Sequence, residues 1–380
     1  MATATAETKP PRAESIDSYR IWQDAQKIPR ITGFYIEDIN KVELAPWELK
    51  GGLGAFINLE GTGGINDAYA CVIPPGQRLK PQRHLYEEMV YIVQGSGATT
   101  VWQDSAMKRT FEWQAGSFFA IPLNAYYQHH NGSGSEPVRY FAVTSAPLYI
   151  NLFHNLDFIF DNPFAFRDRF DPNDDDYFSR EGKVWGPRNT MINFIANVNT
   201  INLISWKPRG AGGLSMHFDL ASQSMAAHIS QFPVGSYKKA HRHGPGAHVT
   251  ILSGQGYTLL WQEGKERIRV DWKPGTVVVP PCDWFHQHFN SGAVPVRYLA
   301  MRKGGGGRFK YPINFNDGEG PGTSVKEGGG QIEYEDEDLQ IHRDFEAALA
   351  KVGARCAMGS YHPQCAEKQS AQTASEFERR

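Results

Sequence analysis

Apolar positions in this chain fall in short runs rather than in long helical stripes. YACVI (Tyr69 to Ile73), MVYIV (Met89 to Val93) and SFFAIP (Ser117 to Pro122) are rich in β-branched and aromatic residues, and turn signals such as PPG, QGSG and NGSG bound them. Further on, AHISQF, HVTILSGQGYTLLW and TVVVPP restate the pattern. Many short strands with glycine punctuation predict an all-β antiparallel sandwich or barrel. Helical spacing is confined to the ends. One short helix is expected around Tyr19 to Gln26, and another over Asp336 to Val352, where Gly353 stands as a stop.

The two sets of runs are copies of one another. VWQDSAMKRTFEWQAGSFFAIP, from Val101 to Pro122, returns as LWQEGKERIRVDWKPGTVVVPP, from Leu260 to Pro281. An offset of 159 relates Trp102 to Trp261, Trp113 to Trp272, Gly116 to Gly275, His84 to His243, Gly95 to Gly254 and Asn131 to Asn290, and it reaches back to Trp47 and Trp206. The register then slips by one, so that PVRYFAV (Pro137 to Val143) answers PVRYLAM (Pro295 to Met301). A register held over so many Trp, Gly and Pro positions marks an internal duplication. The expected organisation is an N-terminal arm over 1–30, a first barrel over 31–150, a connector over 151–195, a second barrel over 196–303, and a glycine-rich linker, helix and polar tail over 304–380.

Composition narrows the partners. With 41% hydrophobic and 21% charged residues a packed core is available and global disorder is excluded. A formal net charge of -2 offers no basic excess to neutralise phosphates, so nucleic acid is not an expected partner. No apolar run approaches the ~20 residues of a membrane span, and Met1 to Ser15 holds no apolar leader. Four cysteines (Cys71, Cys282, Cys356, Cys365) are too few for a disulfide scaffold, and the cytoplasm is the expected compartment. Cys356 and Cys365 lack zinc-type spacing and read as bystanders.

Histidines carry the candidate chemistry. His241 and His243 alternate in GSYKKAHRHGPGAHVTILSGQG, so in an extended segment both imidazoles lie on one face. His286 follows about forty residues later in PGTVVVPPCDWFHQHFN. Imidazoles gathered from two strands in a barrel mouth suit Fe, Mn, Ni, Cu or Zn.

At these residues the chain resembles the cupin superfamily. Gly235, His241, His243 and Gly254 fit the first cupin motif, G-x5-H-x-H-x3/4-E-x6-G, except at its glutamate. Gly275, Pro281, His286 and Asn290 fit the second, G-x5-P-x-G-x2-H-x3-N, with Asp283 at its second glycine. With the repeat, the resemblance covers most of residues 40 to 302 and implies two jelly-roll (double-stranded β-helix) barrels with short helical connectors.

Where the motif expects glutamate, counting from His243 with a four-residue gap gives His248, and counting back from Gly254 gives Ala247. His248 is taken as a fourth ligand, a local bulge absorbing the difference. In the first copy Gln82 replaces the first histidine, Tyr127 stands where His286 stands, and His84 with Glu88 or Glu87 remains; that barrel is expected to be scaffold. His288 has a partner in His129 of that half and reads as structural. His228, Arg297 and Cys282 are candidates to line the pocket. Lys238, Lys239 and Arg242, with Arg297, are candidates to attract a carboxylate, set against plain surface solvation.

The bicupins this chain is similar to include gentisate- and salicylate-type ring-cleaving dioxygenases, and a set of neutral imidazoles favours anionic chelating substrates. The resemblance therefore implies an Fe(II) enzyme that cleaves a C–C bond of a hydroxybenzoate-like or enolisable acid with O2, in a homo-oligomer. Mn, Ni, Cu or Zn are accepted by the same donors. The alternatives are a Mn-dependent bicupin decarboxylase or isomerase, and a non-catalytic ligand-binding or storage-type bicupin.

Overall fold

The computed structural model describes residues 15–104, 107–304, 308–309 and 322–365. The expectations for the start of the arm, for most of the glycine-rich stretch and for the polar tail lie outside the described residues.

Each copy folds as two facing antiparallel sheets. In the first half an eight-stranded sheet runs through the strands Gly52–Leu59, Asp67–Ile73, Val138–Thr144, Glu88–Gln94 and Phe118–Ile121. It faces a three-stranded sheet of Ser96–Asp104, Met107–Gln114 and Tyr126–Asn131. The second half repeats this order with Leu214–Asp219, Met225–Phe232, Val296–Lys303, His248–Ser253 and Val277–Val278 facing Gly256–Trp261, Ile268–Trp272 and Phe285–Phe289. The all-β reading and the duplication both hold in the structure.

The repeated Trp, Thr and His positions show why the small sheet curls onto the large one. Trp113 Nε1 donates to Thr99 Oγ1 at 2.8 Å, and Thr99 Oγ1 lies 2.7 Å from His129 Nδ1. Trp272, Thr258 and His288 make the same chain at 3.0 and 2.8 Å. The indole N–H, the hydroxyl and the histidine Nδ1 are thereby satisfied inside each barrel wall. Gly97 and Gly256 let the indoles lie flat, since a Cβ there would come within 2.5 and 2.6 Å of the Trp rings.

The barrels join through the outer faces of their large sheets. Ile57, Ala70, Met89, Phe118 and Phe141 from the first meet Phe218, Ile229, Val277, Leu299 and Met301 from the second in one buried apolar cluster. Arms cross between them. Tyr35–Ile36, which precedes the first barrel, pairs with Val277 and Val278 of the second. Phe194–Ile195, which precedes the second, pairs with Phe118 and Phe119 of the first. The helices Ala146–Phe153 and Leu156–Phe160 lead into the connector, which contributes strands to both large sheets. The N-terminal helix spans Ser18–Gln26, and the C-terminal helix Leu339–Ala350 is capped by the Asp338 side chain.

Candidate metal centre

His241, His243 and His286 converge in the second barrel. Their candidate ligand nitrogens lie within 4.8 Å of one another. Reciprocal backbone hydrogen bonds between His241 and His286, at 3.0 and 2.9 Å, tie the loop to the strand Phe285–Phe289. His241 Nδ1 sits 3.1 Å from the Lys239 carbonyl and His286 Nδ1 3.4 Å from the Trp284 carbonyl. A carbonyl only accepts, so Nδ1 carries the proton and each Nε2 is left with its lone pair. Burial pushes all three imidazoles far below their usual range, His286 to about 3, and nearby Arg209, Arg302 and neighbouring imidazoles add to the effect. The Nδ1–H tautomers of His241 and His286 suit a divalent transition metal, whereas His243 Nδ1 accepts from Arg302.

His248 is not brought into this group. Its main chain pairs with Met301, which puts Ala247 opposite Arg302, where the first barrel sets Glu88 against Thr144. His248 thus matches Met89, not Glu88. A one-residue step along a strand reverses the side chain, so His248 points out of the barrel into the inter-barrel core. There its Nδ1 lies 3.3 Å from Asn66 Nδ2 and its ring meets Phe141 edge-on. The motif's carboxylate has no successor from this strand, because Ala247 holds its place.

Cations occupy the barrel instead. Arg302 Nη1 lies 2.8 Å from His243 Nδ1. Arg188 stacks over Trp206 at 4.1 Å and donates to Ser215. Lys238 is buried and donates to Ser230 and Tyr298, both at 3.0 Å. Burial and the mutual repulsion with Arg188 lower Arg302 to about 10, and burial with Arg188 and Arg302 does the same to Arg209. His217 and His228 stack in the same chamber with centroids 5.1 Å apart, and the same cations depress both after burial.

The other candidates fall elsewhere. Arg297 clamps the segment that follows the connector, donating to the Val198 and Ile201 carbonyls and to Gln231. Lys239 pairs with Glu333, and Arg242 with Glu263. Cys282 is half-buried in the turn before His286, outside the histidine group, with its thiol pushed up by burial.

In the first barrel an ammonium stands where the histidines would gather around a metal. Lys50 is buried with Nζ 3.2 Å from Tyr127 Oη and 4.6 Å from the Tyr69 ring centroid. Glu88 accepts from Tyr69 and lies 3.4 Å from His84 Nε2. Burial would raise the Glu88 carboxyl, but Lys50 and the His84 hydrogen bond outweigh it and hold it at about 2. Gln82 turns away to the carbonyls of Leu49 and Pro81. The offset of 159 relates Lys50 to Arg209, a signal the sequence held three positions beyond the recognised Trp47 and Trp206.

Residues 69–144 match the family model of the cupin domain. The first half is a cupin barrel. The second repeats its strand order and pairing. No curated protein matches the chain in sequence. Among solved structures the chain is similar to Bacillus subtilis oxalate decarboxylase with its Mn(II) centres, at 14% identity over 72% of this chain and 78% of that one, with a TM-score of 0.48. It is likewise similar to an oxalate decarboxylase structure concerned with substrate binding mode and reaction specificity, at 14% identity, the same coverage of both chains and a TM-score of 0.47. The likeness is one of overall shape. No helix is long and apolar enough to cross a membrane among the described residues.

Proposed function

We propose that the second barrel is a metal-dependent enzyme site that cleaves a C–C bond of a small carboxylic acid. One observation carries this: a neutral three-imidazole group shares its chamber with Arg188, Arg209, Lys238 and Arg302. Such a chamber favours an anion strongly, since charge pairs in a buried site are weakly screened. His241, His243 and His286 would hold the ion. When bound, Fe(II) or Mn(II) supplies Lewis-acid charge and one-electron chemistry; Ni, Cu or Zn suit the same donors.

Arg302 reaches both His243 and the chamber, so it can orient a carboxylate beside the imidazoles by charge-assisted hydrogen bonding. His217 and His228 stay neutral and complete the polar wall. The finer reading is O2-dependent cleavage of an aromatic or enolisable acid with Fe(II). It is supported by the all-imidazole set, which leaves the ion its full charge for a chelating acid. Redox-neutral loss of CO2 is the second reading, and Lys238 favours it. Its buried ammonium, bonded to Tyr298, is a proton source for a carbon that has just lost CO2.

The test is metal analysis of the full chain, followed by small aromatic and aliphatic acids assayed with and without O2. Oxygen uptake selects the first reading and anaerobic CO2 release the second. Either activity should vanish in His286→Ala and survive Tyr127→Phe. Activity that survives the former and is lost in the latter would move the chemistry to the first barrel. Tight acid binding without turnover would make the protein a ligand-binding bicupin.

A further inference from the structure

The C-terminal helix and the loop after it assemble a second set of metal-type donors, outside both barrels. His342 and Glu346 lie one turn apart on the helix Leu339–Ala350, so their side chains share a face. The chain then turns back and delivers Cys356 and Cys365. Candidate ligand atoms of these four residues all lie within 4.8 Å of one another. His342 Nε2 is 3.0 Å from Cys365 Sγ and 3.7 Å from Glu346 Oε1, and the two sulfurs are 3.2 Å apart. A tetrahedral ion with bonds of ~2.3 Å to sulfur and ~2.0 Å to nitrogen spaces its ligands roughly 3.3–3.8 Å apart. The four atoms are near that spacing, and the sulfurs are far beyond the ~2.05 Å of a disulfide.

The surroundings fix the histidine for this role. Tyr237 Oη donates to Glu337 Oε1 at 2.6 Å, since a carboxylate only accepts. With its one proton used, Tyr237 Oη accepts from His342 Nδ1 at 3.0 Å. The Nε2 lone pair therefore faces Cys365. This is the carboxylate-backed arrangement that orients a metal-binding imidazole, here relayed through a tyrosine. His362 stacks on His342 with centroids 4.0 Å apart and is 1% exposed, with its Nε2 3.5 Å from Glu337 Oε1.

We propose that Cys356, Cys365, His342 and Glu346 bind a zinc-type divalent cation, which staples the C-terminal segment to the second barrel. Thiolate and imidazole donors in a tetrahedral closed set favour Zn(II). Binding releases the two thiol protons to solvent and leaves two thiolates on the ion. The staple also reaches the barrel centre from behind. Glu337 accepts from Gln287, which lies between His286 and His288, and Tyr237 opens the segment that leads to His241.

The probe is Co(II) added to the full chain purified under reducing conditions. One equivalent should produce a thiolate-to-cobalt charge-transfer band, displaced by Zn(II). The band should disappear in Cys356→Ser and Cys365→Ser and persist in His241→Ala and Cys282→Ser. Alkylation of the unmutated chain avoids any folding failure of the variants: Cys356 and Cys365 should be shielded when metal is bound and reactive after chelation. A chain without the band, a band unchanged by both serine variants, equal alkylation with and without chelator, or a mass two hydrogens lower with Cys356 linked to Cys365 would each overturn the site.

Discussion

Arg302 stands where the first barrel has Thr144, and its guanidinium joins Arg188, Arg209 and Lys238 in the second chamber. Its guanidinium competes with any ion for His243 while offering the acid a partner. Arg302→Ala should therefore act in opposite directions: metal retention rises, and KM for the acid increases about tenfold or more, as expected for a lost charge-assisted hydrogen bond. Equilibrium dialysis and steady-state kinetics on one preparation read both, and parallel losses would contradict the assignment. His248 makes the converse case. It occupies the place of Met89 in the inter-barrel core, and its Nε2 is buried without a hydrogen bond. His248→Met should leave metal content unchanged and shift stability by less than about 1.5 kcal/mol, as a volume-conserving core exchange does. Loss of metal in that variant would restore His248 to the ligand set.

At the level of strands and loops, the repeat proved a better guide than the family motif. The offset of 159 runs unbroken from His84 and His243 to Gly95 and Gly254, so it already aligned Glu88 with Ala247. The motif's variable gap pulled the reading toward His248. The barrels, the paired Trp and His positions and the three imidazoles were legible because the repeat and the motif spacing carry them; the Thr99 and Thr258 hydroxyls that link the pairs emerged only in the fold. Arg188 was not legible, since only the folded connector brings it over Trp206. Nor could spacing bring Cys356 and Cys365 forward, since His342, whose Nε2 lies 3.0 Å from Cys365 Sγ, sits on another element. The segment that leads into each barrel is held by a repeated clamp, with Arg139 donating to the Ile39 and Val42 carbonyls and Arg297 to those of Val198 and Ile201. Arg297→Ala should cost about 1.5–3 kcal/mol, the range for hydrogen bonds to a charged group. Urea unfolding measures it, and an unchanged midpoint would mean the arm holds without the clamp.

For the molecule as a whole, buried neutral imidazoles predict acid lability. Burial lowers His129 and His248 to about 3 from the ordinary histidine value of 6.5. Below 6.5 the unfolded chain takes up protons that the folded one refuses, so stability falls from there down to about 3. Glu88, held at about 2 rather than 4.5, adds a loss of the same sign at the acid end. Thermal midpoints should drop steadily from pH 7 to 4, less steeply in His248→Met; a flat profile would contradict the buried neutral state. The exchanged arms reach further still. Tyr35 and Ile36 stand to Val278 and Val277 as Phe194 and Ile195 stand to Phe119 and Phe118, so the crossing itself obeys the repeat. Two copies of a one-barrel chain trading their leading segments would build this same core. The duplication thus has the form of an arm-swapped homodimer joined into one chain. Cutting the chain in the acidic turn Asp174 to Asp176 should undo the joining: neither half is expected to stay soluble alone, and the two co-expressed should reassemble. Joined in one chain, the twins need not be alike: one presents three histidines, while the other sets Lys50 against Glu88 and Tyr127.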